Sequence, residues 1–297
     1  MKHKPKIILI ILTMFILTQL IGLYVVNHYI QDGNEHPFIE SPEVETESQY
    51  YYFFIQIILA FIIAIGILFL LIKHDLSIVI RVWFFLVIIL ALGYAFNSFL
   101  FRLEYSLALS FVLAAVLGYI KMFKRDILTH NLTEFFIYPG IASIFVPVLS
   151  PITIVVLLIV ISGYDMWAVW KSGIMQKMAK YQMDSLKVFS GFYVPYLTEN
   201  QKAKIKKASE SKSKKAKEQK ISVNVAILGG GDVIFPIVTA GVFLEASGII
   251  PALFVIAGAT IGLAYLFINS EKKKFYPAMP FITAGIFAGL AISYLFF

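Results

Sequence analysis

The sequence predicts an all-α protein, a polytopic bundle of nine membrane-spanning helices. Three observations lead there. Of the 297 residues, 59% are hydrophobic and only 14% are charged, against about 45–50% and about 25% in soluble globular chains. The apolar excess is gathered in runs of about twenty residues, the length that crosses a bilayer. The connections between runs alternate in charge, as they do when lysine and arginine are held on the cytoplasmic side. The chain has no cysteine, which excludes disulfides and thiolate metal sites. Its net charge of +7 does not point to nucleic acid, because the basic residues lie mostly in the connections, where they report orientation.

The elements follow in order. The first span, Ile7–Tyr29, follows Lys2, Lys4 and Lys6. That start resembles a secretion signal, but the apolar stretch is too long and no small-residue cleavage site follows, so it reads as a retained span. Next come Tyr50–Ile72, Val82–Phe101, Tyr105–Phe123 and Leu132–Leu149. A Ser150–Pro151 turn leads into the sixth, Ile152–Trp170. The last three are Val223–Leu244, Ile250–Ile268 and Pro277–Phe296. The chain thus divides into a six-span part (1–170), a connection (171–220) and a three-span part (221–297).

The first connection is acidic, with Asp32, Glu35, Glu40, Glu43, Glu45 and Glu47; the second carries Lys73 and Arg81 and the fourth Lys121, Lys124 and Arg125. The sixth holds thirteen lysines against four acids, and the eighth holds Lys272, Lys273 and Lys274. This alternation predicts a cytoplasmic N-terminus and an extracytoplasmic C-terminus. Within the sixth connection, "KKASESKSKKAKEQK" has the composition of a disordered tether. The aromatic stretch Ser185–Leu197 before it is expected at the membrane interface or against the bundle. His74 and His130 are expected to be solvated loop residues.

Acids inside spans are rare and usually functional. Two stand out: Asp165 in "VISGYDMWAVW" and Asp232 in "ILGGGDVIFP". Asp165 lies six residues before Lys171, about 9 Å of helix, and Asp232 twelve after Lys220, about 18 Å at 1.5 Å per residue. The mismatch shrinks if the seventh helix begins after Ser222 and Asn224. On antiparallel neighbouring spans, the two carboxylates can then meet. Close carboxylates tend to share one proton. The ionised one can take a proton from water that attacks a peptide carbonyl, and the neutral one can polarise that carbonyl and protonate the leaving nitrogen. The titration belongs to the pair, so neither role is assigned to one residue.

Gly229, Gly230 and Gly231 precede Asp232 and leave room for another backbone, although glycine also serves plain helix packing in lipid. Pro277, Ala278, Met279 and Pro280 open the ninth span. Proline is ordinary at a helix start. Two of them also remove backbone donors and favour an extended chain, which could present backbone to an unwound, strand-like substrate.

Together these motifs resemble the presenilin and signal peptide peptidase superfamily of intramembrane aspartyl proteases. Tyr164-Asp165 is similar to its Y-D motif, Gly229–Asp232 to its G-x-G-D motif, and Pro277–Pro280 to its P-A-L motif, with Met279 in place of leucine. The resemblance implies a presenilin-like fold and hydrolysis within transmembrane helices. It implies Asp165 and Asp232 as the catalytic pair, Tyr164 in support, and the glycines and the Pro277–Pro280 segment beside the substrate. No metal or other cofactor is expected. Expected partners are single-span membrane proteins and the bilayer, with room for a homo-oligomer or accessory subunits. The N-inside orientation is similar to presenilins, whereas signal peptide peptidases are inverted. An ion or solute transporter would also keep acids in spans, but no internal repeat pairs the two halves. A prepilin-peptidase-like protein would share only the G-x-G-D motif.

Overall fold

The computed structural model describes residues 5–30, 37–38, 46–124, 126–172, 190–196, 224–271 and 276–296. Among them are nine helices long and apolar enough to cross a membrane. They are α1 (Pro5–Ile30), α2 (Glu47–Lys73), α3 (Ser77–Leu100), α4 (Ser106–Phe123), α5 (Ile127–Phe145), α6 (Pro151–Trp167), α7 (Gly230–Ser247), α8 (Ile249–Asn269) and α9 (Met279–Phe296). Two antiparallel strands, β1 (Gly191–Tyr196) and β2 (Asn224–Gly229), form a ribbon between α6 and α7.

Local chemistry sets several of the ends. Asp126 caps α5 by accepting from the Thr129 N–H at 2.9 Å, which satisfies one of the orphan donors of a helix start. Ser150 caps α6, with Pro151 in its first turn, where a missing N–H costs nothing. α5 ends in a 3₁₀ turn, Val146–Val148, and α6 in a π turn, Ala168–Ser172.

The seventh span differs from the sequence expectation of Val223–Leu244. Within that stretch Asn224–Gly229 form strand β2, and the helix begins at Gly230. The local chemistry allows it: Val225 and Ile227 are β-branched, the glycines at 229–231 weaken a helix there, and pairing with β1 leaves exposed and buried residues alternating along Val225-Ala226-Ile227-Leu228. The Ser185–Leu197 stretch meets the bundle through β1, with Phe192 and Val194 buried in the main core. The expected disorder of the sixth connection falls mostly on residues 173–189 and 197–223, outside the described residues.

α1 runs through the middle of the bundle, touching α3, α5, α7, α8 and β1. The main core joins α1, α5, α6, α7, α8, α9 and the ribbon, and a smaller one joins α3, α4 and α5. α2 has no fully buried residue; among the described residues it meets α3, α6 and the 3₁₀ turn, lays Phe54, Ile57 and Ile58 half-buried against the main core and stacks Phe61 on Phe145 of α5. In lipid there is no hydrophobic drive between helices, so close packing and polar contacts must hold them. α8 and α9 meet backbone to backbone at Gly258 and Gly262 against Gly285 and Phe281. A Cβ on Gly258 would fall 2.8 Å from the Gly285 carbonyl carbon. Between α6 and α9, the Ser162 and Thr283 hydroxyls share a hydrogen bond of 2.8 Å.

Candidate active site

One turn beyond Ser162, Asp165 sits near the end of α6, 7% exposed. Its Oδ2 accepts from the Met279 N–H at 3.0 Å, and the Ala278 N–H also donates to the carboxylate. These are free donors, because α9 begins at Met279 and the first N–H groups of a helix have no intrahelical acceptor. The α9 start therefore compensates part of the cost of burying a carboxylate. Pro277, Ala278 and Met279 are buried and Pro280 half-buried. Only Pro277 precedes the helix; Pro280 lies in its first turn.

Asp232 lies in the first turn of α7. The helix start at Gly230 leaves the two carboxylates within Coulombic reach of each other. Pro236 lies inside α7. Lacking an N–H, it cannot bond the carbonyl four residues back, which belongs to Asp232. On the α1 side, the Gln19 amide donates to the Val233 carbonyl at 3.0 Å and ties α1 to this turn.

The three glycines do different things. A Cβ on Gly229 would lie 3.2 Å from Asp232 Oδ2, so the carboxylate curls back over the strand end. A Cβ on Gly230 would fall 2.5 Å from Ser190 Oγ and 2.9 Å from the Tyr138 ring. Gly231 is exposed, with only the Phe235 ring 3.8 Å from such a Cβ. Tyr164 lies on the exposed side of α6, its ring 6.1 Å from that of Trp167. The structure thus brings together Asp165, Asp232, Gly229, Gly230, Ala278 and Met279, and leaves the Tyr164 ring on the outer surface.

Sequence reasoning missed the support behind Asp232. Tyr138 in α5 packs its ring against Gly230, and its hydroxyl lies 3.3 Å from Ser190 Oγ. It feels the charges of Glu134 and Asp232. His130, expected to be solvated, is instead on α5 with its side chain 12% exposed. His130, Glu134 and Tyr138 follow a four-residue spacing, which puts them on one helix face; that spacing is the signal the sequence offered.

Residues 12–297 match the model of a family described as signal-peptide peptidase, presenilin aspartyl protease. Among solved structures, the chain is similar to a presenilin family intramembrane aspartate protease in a C222 crystal form. The identity is 17% and the TM-score 0.62, covering 97% of this chain and 98% of the other. A P2 form of a presenilin family intramembrane aspartate protease gives 18% identity and a TM-score of 0.60, with 96% of each chain covered. At this identity the likeness shows the fold. No curated protein matches in sequence.

Proposed function

The chain belongs to the signal-peptide peptidase and presenilin family of aspartyl proteases, and from that premise we propose that Asp165 and Asp232 are its catalytic pair. The substrates are transmembrane helices of other membrane proteins. The observation that carries the reading is the meeting of α6, α7 and α9: Asp165 is held by the Ala278 and Met279 amides within Coulombic reach of Asp232.

The chemistry follows from two carboxyl groups that hold one proton between them. The ionised group takes a proton from water as its oxygen attacks the scissile carbonyl carbon. The neutral group gives its proton to the carbonyl oxygen, forming a tetrahedral diol. Collapse then breaks the C–N bond, the nitrogen gains a proton, and the products are a carboxylic acid and an amine. Helical backbone hides its carbonyls in internal hydrogen bonds, so the substrate must unwind locally.

The ribbon supplies a place for an extended chain. Asn131 bonds both backbone groups of Tyr193, so the odd-numbered residues of β1 face α5. By antiparallel alternation, Phe192, Val194 and Tyr196 face β2. Pro195, without an N–H, falls on the side where β2 does not need one. In the pairing register, the backbone groups of Val225, Ile227 and Gly229 are then left on the outer edge of β2. That edge runs straight into the Asp232 turn and suits a substrate added as a strand. The basic connections orient this end toward the cytoplasm, so the N-terminus is cytoplasmic and the C-terminus extracytoplasmic.

The test is proteolysis of a single-span reporter by the purified protein in lipid. Wild type is expected to cleave, while Asp165→Asn and Asp232→Asn do not, with cut positions inside the reporter's span. Cleavage surviving in either variant would remove the aspartates as a catalytic pair.

A further inference from the structure

A second polar cluster lies buried beside the ribbon. Lys121 in α4 is 8% exposed and Glu134 in α5 1%. Lys121 Nζ lies 2.7 Å from Glu134 Oε1, 3.2 Å from His130 Nδ1 and 3.3 Å from Thr133 Oγ1. A buried ion pair seldom adds net stability over apolar packing of the same volume. Here it organises the groups that hold a strand. With Lys121 donating to Nδ1, His130 carries its proton on Nε2, which donates to the Gly191 carbonyl at 2.7 Å. Glu134 Oε1 accepts from the Gly191 N–H at 3.4 Å. Asn131 takes the Tyr193 N–H at 2.9 Å and donates to the Tyr193 carbonyl at 2.7 Å.

α5 therefore grips β1 at alternate residues, as a neighbouring strand would. Gly191 has φ 149°, a conformation open to glycine and strained in other residues, so the grip acts on a residue that its own backbone also singles out. Gly191 is paired with Gly229 at the end of β2. Tyr138, one helical turn beyond Glu134, packs on Gly230. The next residues are Gly231 and Asp232.

We propose that Lys121, His130, Asn131, Glu134 and Tyr138 are positioning residues that fix Asp232 through the ribbon, a role that rests on Asp232 being catalytic as argued above. They touch neither substrate nor the reacting atoms. They set the register of β1, β1 sets β2, and β2 with Tyr138 sets the glycine turn from which the carboxylate emerges.

The experiment combines a distance with a rate. The chain has no native cysteine, so Leu128→Cys in α5 and Val225→Cys in β2, both at exposed positions, accept spin labels selectively. The distance between the labels is measured without substrate in the parent, in His130→Phe and in Asn131→Ala. Asn131→Ala does not touch the buried Lys121–Glu134 pair. Cleavage of the reporter is measured for the unlabelled forms. The expected result is one narrow distance in the parent and a broad distribution in both variants. Alongside it, kcat falls roughly 10- to 100-fold with KM within about twofold, as for a displaced catalytic group, and the cut spreads to neighbouring bonds. Unchanged distances in both variants would overturn the proposal, as would broadened distances with kcat and cut position intact. If distances broaden while the parent cuts no reporter, strand-holding stands and the positioning of a catalytic residue is overturned together with the protease reading.

Discussion

Gly262 lies in α8, away from both aspartates in sequence, yet its replacement should silence the site. A Cβ there would fall 2.9 Å from the Phe281 carbonyl carbon and 3.2 Å from the Ile282 Cα. Carbon atoms at rest stand about 3.5–4.0 Å apart. Gly262→Ala must therefore push the first turn of α9 outward by about 0.6–1 Å. That turn carries the Met279 N–H, which bonds Asp165 at 3.0 Å. Stretched to about 3.6–4 Å, the contact is no longer a hydrogen bond. Overpacking of this size costs about 1–3 kcal/mol, less up to about 1 kcal/mol returned by the better helix propensity of alanine. Thermal unfolding in detergent should show a net loss of about 1–2 kcal/mol, and the reporter assay a kcat lower by about 10- to 100-fold. Gly66→Ala in α2 is the control, since a Cβ there meets nothing within 4 Å; it should leave kcat nearly unchanged and raise stability by up to about 1 kcal/mol. If Gly262→Ala lowers the melting temperature but cleaves at the wild-type rate per folded molecule, the α9 start does not need its present position and the reasoning fails.

Other substitutions test other parts. Lys121→Met leaves Glu134 buried without its cation and should cost about 3–5 kcal/mol in chemical denaturation, most of it recovered when Glu134→Leu is added. Gly191→Ala forces a β-carbon into a backbone conformation of φ 149° and should cost about 1–3 kcal/mol, seen as a lower melting temperature. Gly230→Ala drives a methyl group into Ser190 and Tyr138; its cleavage rate should fall further than that of Gly231→Ala, whose methyl group meets only Phe235. Hydrogen bonds from Thr129 hold the Asp126 carboxyl below its ordinary value. A depressed folded-state value gives stability that is present above the unfolded pKa of about 3.9 and fades as pH falls through the folded one. Asp126→Ala should remove that acid-side slope and lower stability throughout the neutral range where the cap is ionised, the two stability–pH curves converging as pH falls.

The nine helices were legible because each is an apolar run of bilayer length, and a bilayer leaves few alternatives to a helix. The aspartates were legible because a charge in such a run needs a reason. The ribbon was hidden by the same logic. Val225–Leu228 is apolar throughout and extends the seventh span by composition; the alternation that marks a strand appears only in its burial once β1 is paired with it. Lys121 and His130 looked like loop residues because they fall at span edges, where cations are usually hydrated. Their burial depends on α4 and α5 lying side by side with β1 above them, a contact that local sequence does not encode. Glu134 stood too near the start of its span to attract notice. The shallow packing of α2, which has no fully buried residue, was equally hidden, since a lipid-facing helix and a packed one have the same composition.

The backbone-to-backbone seam between α8 and α9 has a mechanical consequence. Two helices locked through their carbonyls bend and slide far less than two separated by side chains. The hairpin is the stiff member of the site, an anvil on which Asp165 rests through the Ala278 and Met279 amides. The softer members lie on the other side: α6, which meets α9 through side chains such as Ser162 and Thr283, and α2, which has no fully buried side chain. Compliance is thus distributed unevenly around the two carboxylates, with a stiff wall at α8 and α9 and a softer one at α6 and α2.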